Sequence, residues 1–281
     1  MSTLVPPLFA GFVDDAAVLA PGFASAPDAL ARHREHVTAW YGPLLGVFLL
    51  PTSETERDVP LGDVMVGLVN DGPIAGLPAV IARLRAAGVG LGRVEAAVAR
   101  RGEDPQPGLD ELGKLASTTA GLDVYAEIPL SWGLLAALDR VAQARAEGLS
   151  IGPKFRVGGL AAELFPTPVE LAAVICACRD RELPFRLATG LRHAMRHTDP
   201  ETGFTHHGFL NVLVATLLAT DGAEVAEVAE VLAATHPVPL VEPARSRRDQ
   251  ARPLWCGFGT TNLLEPLTDL IRLGLVDGGY S

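Results

Sequence analysis

The chain has 281 residues, 48% of them hydrophobic and 20% charged, with a formal net charge of −10. That length and apolar content suit one large α/β domain or two small ones with a substantial core. The acidic balance, with no lysine or arginine run, argues against nucleic-acid or anionic-membrane partners, both of which need a concentrated basic surface. No apolar run reaches the about 18 residues of a bilayer span, and residues 1–7 lack the basic and apolar segments of a signal peptide, so a cytoplasmic protein is expected. Cys176, Cys178 and Cys256 imply neither a disulfide framework nor a cysteine-rich zinc site.

Residues 1–25 stand apart as an N-terminal extension that could serve as a plug, an extra strand or a lid. Within it, Asp14 and Asp15 could bind a cation, although adjacent carboxylates more often start a turn or helix. A helix over 26–40 leads to a strand at 44–51 (LLGVFLLP) and another at 63–70 (DVMVGLVN). Helix 75–87, strand 90–98, helix 108–118, strand 122–128, helix 131–147 and strand 150–157 follow in alternation. Thr167-Pro168-Val169-Glu170 opens a helix over 168–181, with proline at the first helical position and an acid in the first turn. Strand 184–189 precedes a histidine-rich loop, helices 207–219 and 223–235, a weaker strand candidate at 238–241 flanked by proline, and strand 252–258. Short Val/Leu/Ile runs alternating with helices indicate βα units and a parallel sheet. With right-handed crossovers they close most economically into a single TIM-like (β/α) barrel over 1–281, irregular near its C-terminal strands; an open doubly wound sheet is the alternative.

Positive charge is almost entirely arginine, and Lys154 is one of only two lysines. Arginine cannot replace an amine that must lose its proton, so a lysine retained inside a strand points to chemistry. Strand periodicity puts Lys154 and Arg156 on one face, where repulsion between the cations would lower the lysine pKa and free an amine for Schiff-base formation. Glu127 on the preceding strand could then move a proton, or form an ion pair with Lys154 that only fills the barrel centre. In such barrels function sits at the carboxyl ends of strands, which here offer Asn70, Glu95, Glu127, Lys154, Arg156 and Thr189.

Four of the seven histidines, His193, His197, His206 and His207, fall between 193 and 207. His193 and His197 have the i, i+4 spacing of a metal pair, yet Ala194 stands where a zincin has its glutamate, and residues 199–203 read as a turn. His193, nearest the strand end, is the preferred proton-transfer histidine. His207 and Asn211, at a helix start, are taken as substrate contacts. Gly158, Gly159 and Gly259 lie in glycine-rich stretches expected to follow strands, where backbone N–H groups could meet an anion alongside Arg156 and Arg186. The short Arg245–Arg248 cluster reads as a loop. No motif specifies a cofactor, and a homo-oligomer remains compatible.

DDAAVLAPG, KFRVGG, LATGLRH, HHGFLN and GFGTTNLLEP together resemble a group of bacterial (β/α)-barrel proteins of unassigned reaction. KFRVGG followed by a TG-containing strand end is also loosely similar to the lysine strand of class I Schiff-base aldolases. That resemblance implies Lys154 as the imine-forming residue, although Arg156 follows it and the family's small hydroxyl residues do not. The expected function is an enzyme, a lyase or isomerase acting on a small anionic metabolite, with Lys154 as Schiff-base or electrostatic residue. The alternatives are a metal-dependent enzyme using the His193–His207 cluster and a non-catalytic barrel that binds a metabolite or protein.

Overall fold

A computed structural model of the chain describes residues 4–57 and 59–278. Eight parallel strands close into a barrel: β1 (Val13–Asp15), β2 (Leu45–Pro51), β3 (Met65–Asn70), β4 (Gly90–Ala97), β5 (Asp123–Glu127), β6 (Ile151–Arg156), β7 (Phe185–Ala188) and β10 (Trp255–Thr260). Between β7 and β10 lies a small antiparallel hairpin of β8 (His197–Thr198) and β9 (Thr205–His206), whose turn is the one expected at 199–203. The helices are α1 (Ala26–Thr38), α2 (Leu77–Ala86), α3 (Gln106–Thr118), α4 (Leu134–Ala146), α5 (Pro168–Arg179), α6 (Phe209–Thr220), α7 (Val225–Ala233), α8 (Val238–Ser246) and α9 (Leu264–Arg272).

The TIM-like barrel is therefore the fold, and its last strands are irregular as expected. Of the roles open to the N-terminal segment, a strand is the one found: β1 pairs with both β2 and β10 and closes the barrel. At three residues it lacks the apolar run that marks a buried strand, and two of its three positions are aspartates. The stretch 238–241 is the start of helix α8 rather than a strand, because Pro239 falls in the first turn, where its missing N–H costs nothing. The last strand begins at Trp255 and ends at Thr260, so Gly257-Phe258-Gly259-Thr260 lies within the strand and not in the loop after it.

Period-two alternation builds the barrel wall. Phe48, Leu50, Val66, Leu68, Val94 and Ala96 form part of the buried layer beneath the helices, whereas Gly67 on the opposite face sits against Val47, Leu49 and Arg93. The wall closes on an aromatic cluster in which Phe12 meets Trp255 edge-on at 5.0 Å and Phe258 at 5.2 Å, and Phe209 from α6 stacks on Phe258 at 5.6 Å. Helix α5 starts where expected, with Pro168 at the first position, and there Thr167 and Glu170 form a reciprocal capping box. The α7 segment exposes its glutamates and buries Val228, Ala229 and Leu232.

Asp15 and His33 pin α1 to β1. Both are buried, and Asp15 Oδ2 lies 3.1 Å from His33 Nδ1 while its other oxygen accepts from the Ala17 N–H. At the carboxyl ends of β6 and β7 two loops cross closely. Thr189 adopts a φ of 63° and Gly190 one of 85°, and a Cβ on Gly158 would fall 2.8 Å from the Gly190 Cα. A β-branched residue with positive φ is strained, and the crossing tolerates no side chain on Gly158. Replacing Gly158 with alanine is expected to cost roughly 1–3 kcal/mol, the cost of forced overpacking, in urea unfolding; an unchanged midpoint would show that the two loops do not hold this approach.

Candidate functional site

The barrel interior carries a connected set of charges. Directly paired positions across three strands are Glu127 on β5, Lys154 on β6 and Arg186 on β7. Lys154 Nζ lies 2.7 Å from Glu127 Oε2 and 2.9 Å from Glu95 Oε2. Glu95 Oε1 accepts from Arg93 Nε at 2.6 Å, and Arg93 Nη2 reaches Asp14 Oδ2 at 2.5 Å. Arg186 also donates to Asp14 Oδ2, and its guanidinium lies over the Tyr125 ring at 5.6 Å. At the upper end Glu127 Oε1 accepts from Arg156 at 2.9 and 3.2 Å.

Burial grades along this set. Asp14, Arg93, Glu95, Lys154 and Arg186 are buried, the Glu127 side chain is 15% exposed, and that of Arg156 is 47% exposed. Four cations face three carboxylates, which leaves one positive charge in excess within the set. The excess ends in solvent at Arg156. Beside it, at the carboxyl ends of the strands, a cavity of about 130 Å³ is lined by Glu127, Arg156, Arg101, Glu163, Leu164 and Ala99 among others. This is the face where barrels of this kind place their chemistry.

The electrostatics reverse one expectation. Arg156 does not compete with Lys154 for one space, because Glu127 stands between them and binds both. Burial pushes the Lys154 ammonium toward neutrality, but Glu95 and Glu127 outweigh it and hold its pKa above the ordinary lysine value. Burial likewise pushes the two carboxyls up, while Lys154 with Arg93 and Arg186 holds Glu95, and Lys154 with Arg156 holds Glu127, below the ordinary glutamate value. Lys154 is thus an ammonium at neutral pH and not a free amine.

The remaining expected site residues are dispersed. Arg186 belongs to the buried interior and does not reach the open mouth. Gly158 serves the crossing with Gly190, Gly159 packs on Leu164, and a Cβ on Gly259 would lie 3.0 Å from Leu49 Cδ1 inside the barrel. Asn211 is fully buried; its Oδ1 accepts from the Arg196 N–H and its Nδ2 donates to the carbonyls of Val231 and Ala234. His207 is also buried, with Nε2 2.8 Å from the Pro166 carbonyl and Nδ1 3.3 Å from Arg196 Nη1. Asn211 and His207 tie the histidine-rich loop to its surroundings. His193 contacts Asp269 on α9 at 3.5 Å and the His197 ring edge-on at 4.8 Å.

His197 and His206 stack at 5.3 Å across the hairpin, with Nδ1 near the carbonyls of Met195 and Gly190 respectively. Among the described residues no group of three or more His, Cys, Asp and Glu is placed to hold a metal ion. In the Arg245–Arg248 segment each arginine has its own carboxylate, with Arg245 on Glu242, Arg247 on Asp221 and Arg248 on Asp277, leaving no cationic patch for an anion.

Sequence reasoning missed Arg93 and Tyr125 and read Asp14 as a cation ligand or, more often, the start of a helix or turn. Arg93 shares its face with Glu95 two residues on, a spacing as visible as that of Lys154 and Arg156. Asp14 carried no such signal, because its partners lie 79 and 172 residues away. Compared with known proteins, the chain matches no family model and no curated protein sequence.

The buried pairs set how stability responds to substitution and pH. Glu95→Gln removes one of the two carboxylates on both Arg93 and Lys154, leaving Asp14 and Glu127 to hold the buried cations alone, and is expected to cost roughly 3–5 kcal/mol in urea unfolding; a loss near zero would show that the remaining carboxylates compensate the interior charges. Burial pushes His207 down to about 4 from an ordinary 6.5. The unfolded chain then binds a proton that the folded chain refuses, so stability is full above the ordinary value and falls as pH drops toward the folded one. The loss amounts to roughly 3 kcal/mol. Glu95 and Glu127, depressed in the folded state, add a further loss below about pH 4.3, whereas the raised Lys154 withdraws its contribution only above about pH 10.4. Urea unfolding at about pH 7 and about pH 5 should show a smaller loss in His207→Gln than in the wild type; equal losses would remove His207 as the cause.

Proposed function

We propose that this (β/α)8 barrel is an enzyme that moves a proton on a small anionic metabolite next to a carbonyl, an isomerase or lyase reaction, with Lys154 as the electrostatic acid and Glu127 as the base. The observation that carries the reading is Glu127, held between the buried ammonium of Lys154 and the half-exposed guanidinium of Arg156 at the wall of the mouth cavity. A substrate anion that takes Arg156 removes one cation from Glu127 and brings a negative charge close to it. Both changes raise the carboxylate's pKa and make it a better base at the moment substrate is bound. Glu127 then accepts the proton from the carbon beside the carbonyl. The Lys154 ammonium, kept charged by Glu95, stabilises the negative charge that develops on the carbonyl oxygen.

The loose resemblance to class I aldolases supports a second role for the same lysine. Imine formation requires the ammonium proton to leave first, and Glu127 at 2.7 Å is placed to receive it. Two carboxylates on the ammonium favour the electrostatic role over this one.

The test is hydrogen exchange. Incubated in D2O with a panel of short keto acids and hydroxy keto acids, the protein should wash deuterium into the carbon beside the carbonyl of at least one, read by NMR. Glu127→Gln should lower that rate by roughly 100- to 10,000-fold, the range for loss of a general base, and Lys154→Gln, which removes the ammonium's charge, should lower it as well while remaining folded. Borohydride in the same mixture that adds mass at Lys154 would replace the electrostatic role by the covalent one. An exchange rate unchanged in both variants, or no exchange across the panel, would overturn the proposed reaction.

A further inference from the structure

The mouth cavity does not end at its own walls. Arg101, Leu130 and Glu163 also line a second, larger groove of about 590 Å³ that runs outward between the starts of α4 and α5. Its floor and sides are largely apolar, with Leu130, Leu134, Leu135, Phe165, Ala173 and Val174 among them. Arg101 forms the joint between the two spaces. Its Nη1 donates to the Leu130 carbonyl at 3.3 Å and to the Glu163 carbonyl at 3.0 Å, tying the loop after β5 to the loop after β6.

Size separates the roles of the two spaces. Small-molecule sites occupy about 300–1,000 Å³, and they are mostly apolar with a few polar groups at one end. The mouth cavity, at about 130 Å³, is too small for such a ligand and suits a head group. The groove falls within the range. Large apolar side chains also stand more than half exposed on the segments that frame it: Trp132 and Leu135 on one side, Leu160 and Val169 on the other. Soluble proteins rarely leave such a grouping uncovered unless something apolar lies against it.

We propose that the ligand is an amphiphilic acid whose anionic head lies at Arg156 and whose apolar tail, an acyl or comparable hydrocarbon chain, lies along the groove between α4 and α5. The inference rests on the functional reading above for the head and adds the class of the remainder. Tail burial in the groove would supply binding energy remote from the reacting carbon and set chain-length specificity.

Binding of butanoate, octanoate and decanoate, below their micellar concentrations, is measured by calorimetry and by Trp132 fluorescence. Affinity should rise by roughly fourfold for each methylene that enters the groove. Ala173→Trp, which places an indole in the groove from an exposed position of α5, should bring decanoate down to the level of butanoate. Leu135→Asp should reduce the gain in the same direction, and serves if the tryptophan variant does not fold. Arg156→Gln should weaken all three acids by a common factor of about tenfold, as expected for loss of a charge-assisted contact.

Butanoate binding that depends on Arg156 without any gain from lengthening the chain would overturn the tail site and leave the functional reading standing. Failure of Arg156→Gln to alter any of the acids would count against the functional reading's head site. A chain-length gain that persists in both groove variants would show that the tail lies elsewhere and overturn the proposal.

Discussion

Charge inside the barrel has to be paired, and this constraint orders the rest of the structure. A barrel of this type is filled by side chains from alternate strands, ordinarily branched and apolar. Here that space holds Asp14, Arg93, Glu95, Lys154 and Arg186, all buried. An isolated charge in such surroundings would neutralise itself or unfold the protein, so each must find its partner in the facing strand. The register that aligns Glu127 with Lys154 and Arg186 does this across β5, β6 and β7, and Asp14 does it from the opposite wall. A slip of one residue would send every one of these charges into the apolar layer under the helices.

The same pairing makes the set asymmetric along the barrel axis. Its lower members satisfy one another, and the unmatched positive charge emerges at Arg156, beside a small cavity. Glu127 is the hinge between the closed interior and the open mouth, since it binds one cation on each side. The surrounding loops are held by contacts that leave little freedom: the Gly158–Gly190 crossing with the strained Thr189, the two carbonyls bound by Arg101, and the buried His207 and Asn211 under the histidine loop. Buried histidine and asparagine here act as struts beneath the histidine loop.

Local patterns carried the architecture. The alternation of short apolar runs with helices, the helix start at Thr167–Glu170 and the turn at 199–203 rest on interactions among residues a few positions apart, and all were legible before any contact was known. So was the placement of Lys154 with Glu127, because adjacent parallel strands of known phase bring strand-end residues together. β1 and α8 were not legible: a three-residue strand with two aspartates has no apolar signature, and the prolines of α8 resemble a loop until the fold supplies its neighbours.

What lay outside the reach of sequence was the sign of the lysine's environment. Two cations two residues apart on one strand predict repulsion, and residue spacing holds no information on what stands across the barrel. Glu127 on the adjacent β5 was within reach of a sequence reading, but Glu95 comes from β4, two strands away, and its approach to the Lys154 nitrogen exists only in the assembled sheet. The sequence determines which residues can be charged and which face they share, since that depends on the period of a strand. Whether a lysine is an amine or an ammonium depends on Coulomb terms that fall off over a few ångströms, and those distances belong to the closed barrel.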